Sequence, residues 1–251
     1  MRFSGKRVLV TGGSGEIGAR VAGAMRAEGA EVTILDRAPP AEAGLGFFAC
    51  DLSTADGLEA VACWAAARDW DILVNVAGIL HFGPFEAQEP DHLLRTFMVN
   101  LVAPTRLAQA VLPGMRSRGW GQIVNIGSVF GAINFAHFAT YSASKAGLRG
   151  LSQALRRELA GSGVRVTYVA PRAVRTGFNN AQVMAFAKLT KTAMDEPGLV
   201  AARIVKAIAE RRREIFIGFP EALYVRINAI APSLIDRALA PADRQVAKLF
   251  T

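Results

Sequence analysis

Seven short apolar runs alternate along the chain with segments whose apolar residues recur at helical spacing. Runs such as Val-Leu-Val at 8–10 and Ile-Leu-Val at 72–74 are apolar without alternation, as in strands buried on both faces by helices. The pattern predicts stacked βαβ units, and therefore an α/β fold with a Rossmann-like, doubly wound and mainly parallel seven-stranded sheet. The predicted strands span residues 6–12, 30–36, 46–50, 71–78, 121–128, 163–171 and 213–218.

The length of the chain suits one domain built on that sheet. With 251 residues, 51% of them hydrophobic, residues 1–251 are expected to form a single domain with a short helical extension at 219–251. No apolar stretch reaches the roughly 18 residues that span a bilayer, and the N-terminus does not resemble a signal peptide. Cys50 and Cys63 lack metal or redox spacing, so we expect no metal and a cytoplasmic location.

The chain is basic, with a formal net charge of +8. Residues 201–251 contain nine Lys and Arg against five Asp and Glu, so half of the excess lies in the last fifth. Charged residues make up only 20% of the chain and no DNA- or RNA-binding motif is present, so no nucleic-acid partner is expected. An anionic cofactor, an anionic substrate or a membrane surface would use the same charge.

The first predicted strand runs directly into the sequence TGGSGEIG at 11–18, and a helical pattern follows. Glycines in such a loop allow a tight turn, the close approach of a pyrophosphate and close packing of the next helix. The helix N-terminus also favours the negative charge of a phosphate. The sequence therefore predicts a dinucleotide-binding loop that includes Gly12, Ser14, Gly15, Glu16, Ile17 and Gly18.

The second predicted strand ends in Asp36, eighteen residues after Gly18. A carboxylate at this distance accepts hydrogen bonds from ribose hydroxyls and repels a 2′-phosphate, which favours NAD(H). Arg37 leaves NADP(H) open as the alternative, since an arginine beside the ribose pairs with a 2′-phosphate. A solvated loop charge is the other interpretation of Arg37.

Tyr141 and Lys145 are four residues apart, so on a helix their side chains share one face. A phenol with a pKa near 10 is a poor base at neutral pH, but a nearby ammonium would stabilise the phenolate. Ser128 closes the fifth predicted strand and could hold the oxygen of a substrate. Asn100 lies on a helical stretch whose backbone it could open for a water. These four residues are the candidate catalytic group.

At these residues the sequence resembles the short-chain dehydrogenase/reductase family, specifically its compact branch, closely over residues 5 to about 178. The resemblance implies an NAD(P)-dependent enzyme that interconverts alcohols and ketones. It assigns the catalytic tetrad to Asn100, Ser128, Tyr141 and Lys145. Tyrosine would exchange a proton with the substrate, and lysine would hold the ribose and lower the pKa of the phenol. Asparagine would hold a proton-relay water.

Further cofactor contacts follow from the same resemblance. Asp51 and Leu52 match residues that contact adenine, and VNVAG at 74–78 resembles the Asn-Asn-Ala-Gly of the family, with Val76 replacing the second asparagine. The remaining cofactor positions implied by the resemblance are Asn75, Ala77, Gly78, Pro171, Val174 and Thr176. Arg172 stands where the family usually has glycine, and it either recognises an anionic group or forms a surface salt bridge.

The glycine spacing departs from the compact branch, which has glycine at the position of Glu16. Gly12, Gly15 and Gly18 instead follow the spacing of the longer branch, which includes epimerases and dehydratases acting on nucleotide sugars. That branch needs a sizeable C-terminal substrate domain, which the residues beyond Thr176 are too few to form. The compact branch is therefore preferred, with Glu16 expected to point to solvent. A dinucleotide-sensing protein without turnover is a further alternative.

The substrate is expected to be a lipophilic secondary alcohol or ketone. Phenylalanines lie between the serine and the tyrosine, after the fourth strand and in a predicted substrate lid at 176–196, and such a lining suits an apolar substrate. These phenylalanines are Phe82, Phe130, Phe135, Phe138, Phe178 and Phe186. No partner is evident for His81 or His137, so neither is assigned a role in catalysis.

The extension at 219–251 is atypical of the compact branch. Its apolar residues must partly pack on the sheet, because an exposed patch of that size is rare on a soluble monomer. The remainder is expected to form a subunit interface of a homodimer or homotetramer. The alternative is peripheral contact with an anionic membrane through nearby arginines, at about 1 kcal/mol for each basic residue. These arginines are Arg211, Arg212, Arg213, Arg226 and Arg237.

Overall fold

The computed structural model describes residues 1–250 and contains one seven-stranded sheet. Every pairing is parallel and the strand order is β3-β2-β1-β4-β5-β6-β7. The strands are β1 (Arg7–Thr11), β2 (Glu31–Asp36), β3 (Gly46–Ala49), β4 (Ile72–Asn75), β5 (Gly121–Ile126), β6 (Val164–Pro171) and β7 (Glu214–Ile217). The predicted fold class is confirmed, and all seven predicted strands are present.

Helices cover both faces of the sheet. The first five are α1 (Glu16–Ala27), α2 (Ala55–Ala66), α3 (Pro90–Phe97), α4 (Ala103–Ser117) and α5 (Ala139–Glu158). They are followed by α6 (Ala181–Leu189), α7 (Pro197–Ala209), α8 (Glu221–Ile230) and α9 (Pro232–Ala247). A π-helical turn, Met98–Val102, joins α3 to α4, and short 3₁₀ turns occupy Phe85–Ala87 and Val129–Gly131.

The core lies in two layers, which explains the continuous apolar runs in the strands. Apolar residues of α1 and α7 pack on one face of the sheet, and those of α2 and α4 pack on the other. All six residues of β5 are buried. Because β1 is paired with β2 on one side and with β4 on the other, the strand order reverses between β1 and β4. Ligands of doubly wound folds bind at this point, beyond the carboxyl ends of the strands.

The C-terminal extension packs beside the carboxyl end of β7. Val225 of α8 and Ile235 of α9 are buried against Val129 and Ile133, in the turn that follows β5. Val246, near the end of α9, is buried against Phe186 of α6. The extension therefore covers two segments that neighbour the carboxyl ends of the strands. Within residues 1–250, none of the helices is both long enough and apolar enough to cross a bilayer.

The three consecutive arginines before β7 do not adjoin this extension, contrary to expectation. Arg211 donates hydrogen bonds to the carbonyl oxygens of Gly121 and Gly163, at the amino ends of β5 and β6. Arg212 forms an ion pair with Glu210. Since α8 begins beyond the carboxyl end of β7, the strand separates this basic cluster from the apolar residues of the extension.

Gly127 provides a test of packing beneath the site. A Cβ at this position would lie 2.0 Å from the hydroxyl oxygen of Tyr168, a fully buried side chain. We expect Gly127→Ala to lower the free energy of unfolding by at least about 2 kcal/mol, because a closely packed core resists added volume. Chemical denaturation measures the change.

Gly198 of α7 is the matched control, because a Cβ there would meet no atom within 4 Å. Gly198→Ala should leave stability unchanged or raise it by up to about 1 kcal/mol, since alanine is the better helix former. Equal effects of the two substitutions would contradict the predicted overlap with Tyr168.

Candidate active site

A cleft of about 820 Å³ lies beyond the carboxyl ends of the central strands. Its walls come from the loops that follow β1 to β6, together with residues of α3, α5 and α6. Nearly every predicted site residue lines this cleft. The exceptions are Asn75 and Asn100, which are buried beneath its surface.

The glycine-rich loop after β1 approaches its neighbours more closely than side chains would permit. A Cβ on Gly12 would lie 2.8 Å from the backbone of Ala77, and one on Gly18 would lie 2.1 Å from the Gly12 carbonyl oxygen. Gly15 is the extended residue that precedes α1, so the first backbone N–H groups of that helix face the cleft. This arrangement fits the pyrophosphate of a dinucleotide.

The ends of β1 and β4 are joined by a side chain that the sequence analysis did not single out. The hydroxyl of Thr11 accepts hydrogen bonds from the N–H groups of Val76 and Ala77, both at 3.1 Å. Asn75, the last residue of β4, donates to Asn125 of β5 at 2.8 Å. Asn75 thus joins two strands, whereas Ala77 and Gly78 reach the surface of the cleft.

Asp36 is held at the edge of the cleft by the glycine-rich loop. One carboxylate oxygen accepts the N–H of Ser14 at 3.0 Å, and the other accepts the N–H of Arg37 at 2.7 Å. The side chain of Arg37 is exposed beside it. Both carboxylate oxygens of Asp36 are thus held in place by backbone N–H groups, with the exposed side chain of Arg37 next in the chain.

The predicted adenine contacts follow β3. Leu52 is almost fully buried, and Asp51 accepts the N–H of Ser53 at 2.8 Å. The side-chain hydrogen bond of Ser53, and after it this backbone hydrogen bond, hold the pKa of Asp51 below its usual value. His92 and Arg95 of α3 also line the cleft, and no motif in the sequence had indicated them. The packing of α3 against α5 and the π-helical turn brings these two residues to the site.

The four candidate catalytic residues are brought together between β5, α5 and the π-helical turn. Ser128 follows β5 and accepts the N–H of Phe130 at 3.1 Å. Tyr141 and Lys145 are on α5, and the ammonium of Lys145 donates to the carbonyl oxygen of Ile126 at 3.0 Å. The Lys145 nitrogen lies 5.9 Å from the centroid of the Tyr141 ring.

Asn100 lies within the π-helical turn between α3 and α4, where the backbone is wider than in an α-helix. Its amide oxygen accepts the N–H of Ile79 at 2.9 Å. Its amide nitrogen donates to the carbonyl oxygen of Ile79 at 2.8 Å and to the hydroxyl of Ser144 at 3.0 Å. Asn100 therefore ties the loop after β4 to α5, directly behind the cleft.

Burial shifts the pKa values of Tyr141 and Lys145 in opposite directions. It raises the pKa of Tyr141 to about 12, although a hydrogen bond with Ser128 opposes the shift. It lowers the pKa of Lys145 to about 8. Burial disfavours the charged form of each group, which for tyrosine is the phenolate and for lysine the ammonium. Tyr141 is therefore a protonated phenol at neutral pH, and the lowering expected from Lys145 does not govern its pKa in this structure.

The far end of the cleft is lined with apolar side chains. The lining residues at this end include Leu80, Val99, Phe130, Phe138, Phe178, Val183, Phe186 and Met194. Phe82 and Phe135 lie behind this lining, and Phe250 from the end of the chain contacts Phe82 with ring centroids 5.2 Å apart. The sequence pattern had not indicated that the C-terminus supports this wall. His137 packs against Phe250, and His81 lies near His92.

Arg172 forms salt bridges with the two segments beside it. Its guanidinium is paired with Asp195 at 2.7 Å and with Glu221 at 3.3 Å. Asp195 lies near the end of the predicted lid segment, and Glu221 is the first residue of α8. Arg172 therefore joins both segments to the end of β6. Of the two interpretations of Arg172, the structure supports the salt bridge.

Glu16 is exposed, as expected, but its side chain also has a partner. Its carboxylate accepts the N–H of Gly177 at 2.6 Å. Gly177 follows Thr176, and both residues line the cleft. Among residues 1–250, no group of three or more His, Cys, Asp or Glu is arranged to hold a metal ion.

Comparison with known proteins agrees with this geometry. The family model described as "short chain dehydrogenase" matches residues 6–185, which include the glycine-rich loop and all four candidate catalytic residues. The chain belongs to the short-chain dehydrogenase/reductase family. It is accordingly an NAD(P)-dependent oxidoreductase acting on alcohol and ketone groups.

Individual members of the family resemble the chain over most of its length. The ketoacyl reductase HetN of Nostoc sp. (strain PCC 7120) is 33% identical, with 94% of this chain and 88% of that protein covered. The D-xylose 1-dehydrogenase of Caulobacter vibrioides is 37% identical over 69% of this chain and 74% of its own. A short-chain dehydrogenase from Sphingobium yanoikuyae in complex with NADPH superposes with a TM-score of 0.79, at 28% identity, covering 92% and 95% of the two chains.

Proposed function

We propose that the protein reduces a lipophilic ketone to a secondary alcohol, and catalyses the reverse oxidation, with Tyr141 as the proton-transferring group. The observation that carries this proposal is the position of Tyr141. Its half-buried phenol lies beside Ser128 and Lys145, between the dinucleotide-binding part of the cleft and the apolar end. The nicotinamide cofactor, when bound, supplies or accepts the hydride.

The residues of the chain would divide the remaining work. Ser128 would hold the substrate oxygen within reach of the Tyr141 hydroxyl, and that hydroxyl would donate its proton as the ketone becomes an alcohol. Lys145, charged below about pH 8, would hold the nicotinamide ribose and favour the phenolate left after proton transfer. Asn100 would act from behind, by holding the loop after β4 and the start of α5 in register.

The lining of the cleft supports a neutral, apolar substrate. Phenylalanines form much of the far wall, and the charge of Arg172 is already neutralised by Asp195 and Glu221. Similar proteins include a ketoacyl reductase and a sugar dehydrogenase. An aromatic wall gives a sugar few hydrogen-bonding partners, so we favour an acyl chain or a ring compound as the substrate. A panel of ketones from short chains to steroids, followed by the absorbance of reduced nicotinamide, tests this choice.

We propose NAD(H) as the preferred cofactor, with NADP(H) as the alternative. The Asp36 carboxylate is held in place by Ser14, so a 2′-phosphate would meet a fixed negative charge. The exposed guanidinium of Arg37 adjoins it and would offset part of that repulsion.

We further propose that the protein forms a homodimer or homotetramer in the cytoplasm. Large apolar side chains of the extension remain exposed, with Ile230 at 87% and Phe219 at 78%. Because the cluster at 211–213 lies at the other end of β7, only Arg226 and Arg237 of the five arginines considered above lie on α8 and α9. This favours a subunit interface over a membrane surface. The mass in solution at low concentration, measured beside flotation with anionic vesicles, distinguishes the two.

Tyr141→Phe should lower turnover by at least about 100-fold, because it removes the positioned proton donor and leaves the ring in place. Cofactor affinity should change little, since Lys145 is retained. Steady-state kinetics and fluorescence titration with NADH measure the two effects. Near-normal turnover by this variant would rule out the proposed mechanism, and a wild-type protein that binds NADH without turning over any ketone would favour a sensor.

The rate should also depend on the charge of Lys145. kcat/KM for the reduced cofactor, which reports on the free enzyme, should be constant below about pH 8 and fall above it. The sign follows from the lowered pKa: the ammonium that would hold the ribose is lost as pH rises through that value. Lys145→Met should have low activity without this inflection, and a wild-type profile that stays constant to pH 10, about two units beyond the pKa, would contradict the assignment.

Asp36→Asn should raise the use of NADPH relative to NADH by on the order of tenfold, because it removes the charge that repels a 2′-phosphate. Asparagine can still accept the N–H of Ser14, so the variant separates charge from support of the loop. Asp36→Ala removes both the negative charge and the acceptor for the N–H of Ser14. Relative kcat/KM values for the two cofactors give the result, and a wild type that already prefers NADPH strongly would show that Arg37 governs the site.

A further inference from the structure

Glu16 occupies a position in the glycine-rich loop that neither turn geometry nor close packing explains. It is the first residue of α1 and its side chain is not needed to form the turn, which depends on Gly12 and Gly18. The structure gives this carboxylate one specific partner far away in the sequence. Its oxygen Oε1 accepts the backbone N–H of Gly177 at 2.6 Å, across 161 residues.

The two partners come from segments far apart in the chain that both line the same cleft. The glycine-rich loop and residues 176–179 both line it, and the hydrogen bond between Glu16 and Gly177 joins them at its edge. A dinucleotide whose pyrophosphate lies at the start of α1 would pass beside this connection. The hydrogen bond between Glu16 and Gly177 would therefore lie beside that part of the bound cofactor.

The segment that starts at Gly177 is secured independently where it returns to the sheet. Arg172 is paired with Asp195, and the backbone of Val174 is bridged to that of Asp195. Between these ends, Asn180 caps α6 by accepting the N–H of Val183. Glu16 thus supplies a separate attachment at the beginning of the segment. Phe178 and Phe186, which follow Gly177 in the chain, both line the cleft.

We propose that Glu16 is a positioning residue that clasps residues 176–179 to the glycine-rich loop and so retains the dinucleotide in the cleft. A glycine at this position has no acceptor to offer the Gly177 amide, and glutamine keeps an oxygen acceptor without the charge. The effect of the clasp on turnover rests on the function proposed above. The clasp itself is a property of the free protein and can be tested without substrate or cofactor.

Hydrogen exchange in the cofactor-free protein tests the contact directly. In Glu16→Ala the amide of Gly177 should exchange on the order of tenfold faster than in the wild type, as expected for the loss of one hydrogen bond to a charged acceptor. Glu16→Gln should restore most of the protection. Equal exchange at Gly177 in the wild type and in Glu16→Ala would overturn the proposal.

Asp56→Ala is the matched control. Asp56 is an exposed acidic residue in the first turn of α2, so its loss removes a comparable charge at a helix start without touching residues 176–179. Exchange at Gly177 should equal that of the wild type in this variant. An increase like that of Glu16→Ala would show that exchange reports general destabilisation, and it would overturn the clasp.

Dissociation of NADH, followed by fluorescence after mixing with excess unlabelled competitor, tests the consequence. Alanine and glutamine both remove the charge of Glu16, so the comparison between them isolates the hydrogen bond. Dissociation should be about fivefold faster from Glu16→Ala than from Glu16→Gln. Equal rates would overturn retention of the cofactor. Absence of ketone turnover in the wild type, with these differences intact, would refute the proposed function and leave the clasp standing.

Discussion

Between β1 and β4 the backbones of two loops approach so closely that a Cβ on Gly12 would lie 2.8 Å from Ala77. The hydroxyl of Thr11 closes the same gap by accepting two N–H groups from the β4 loop. This close approach fixes the position of the glycine-rich loop relative to the end of β4, and Asn75 at that end is in turn hydrogen-bonded to Asn125 of β5. The start of α1 faces the cleft only because the loop can turn this tightly.

Burial is the second physical constraint, and it acts on charge. Lys145 is buried and Tyr141 is half-buried, and their pKa values move apart, that of Tyr141 to about 12 and that of Lys145 to about 8, because each neutral form is favoured. The result is a phenol that retains its proton at neutral pH beside an amine whose charge is lost above about pH 8. The protonated phenol suits the donation of a proton to a carbonyl oxygen, the direction in which the proposed reaction is a reduction, and the ammonium of Lys145 is available to assist it below about pH 8.

The segments that enclose the substrate end are linked through few residues. Arg172 connects the end of β6 to Asp195 and Glu221, and the extension supports the aromatic wall through Val246 and Phe250. A change in the extension is therefore transmitted to the wall of the cleft by direct packing. Together with the hydrogen bond from Glu16, these contacts attach residues 172–195 to the glycine-rich loop, to α8 and to α9.

Local patterns in the sequence were enough to predict the seven strands, the glycine-rich loop and the catalytic candidates, because apolar runs and strand ends are recorded in adjacent residues. The contact of Glu16 with Gly177, the pairing of Arg172 and the position of Arg211 at the amino end of the sheet are visible only in the folded chain. Such contacts join residues far apart in the chain, and their partners depend on how helices and loops pack, which no local pattern specifies. The contact of Phe250 with Phe82 could not be predicted for the same reason, since nothing in the local sequence around Phe250 indicates which residues it packs against.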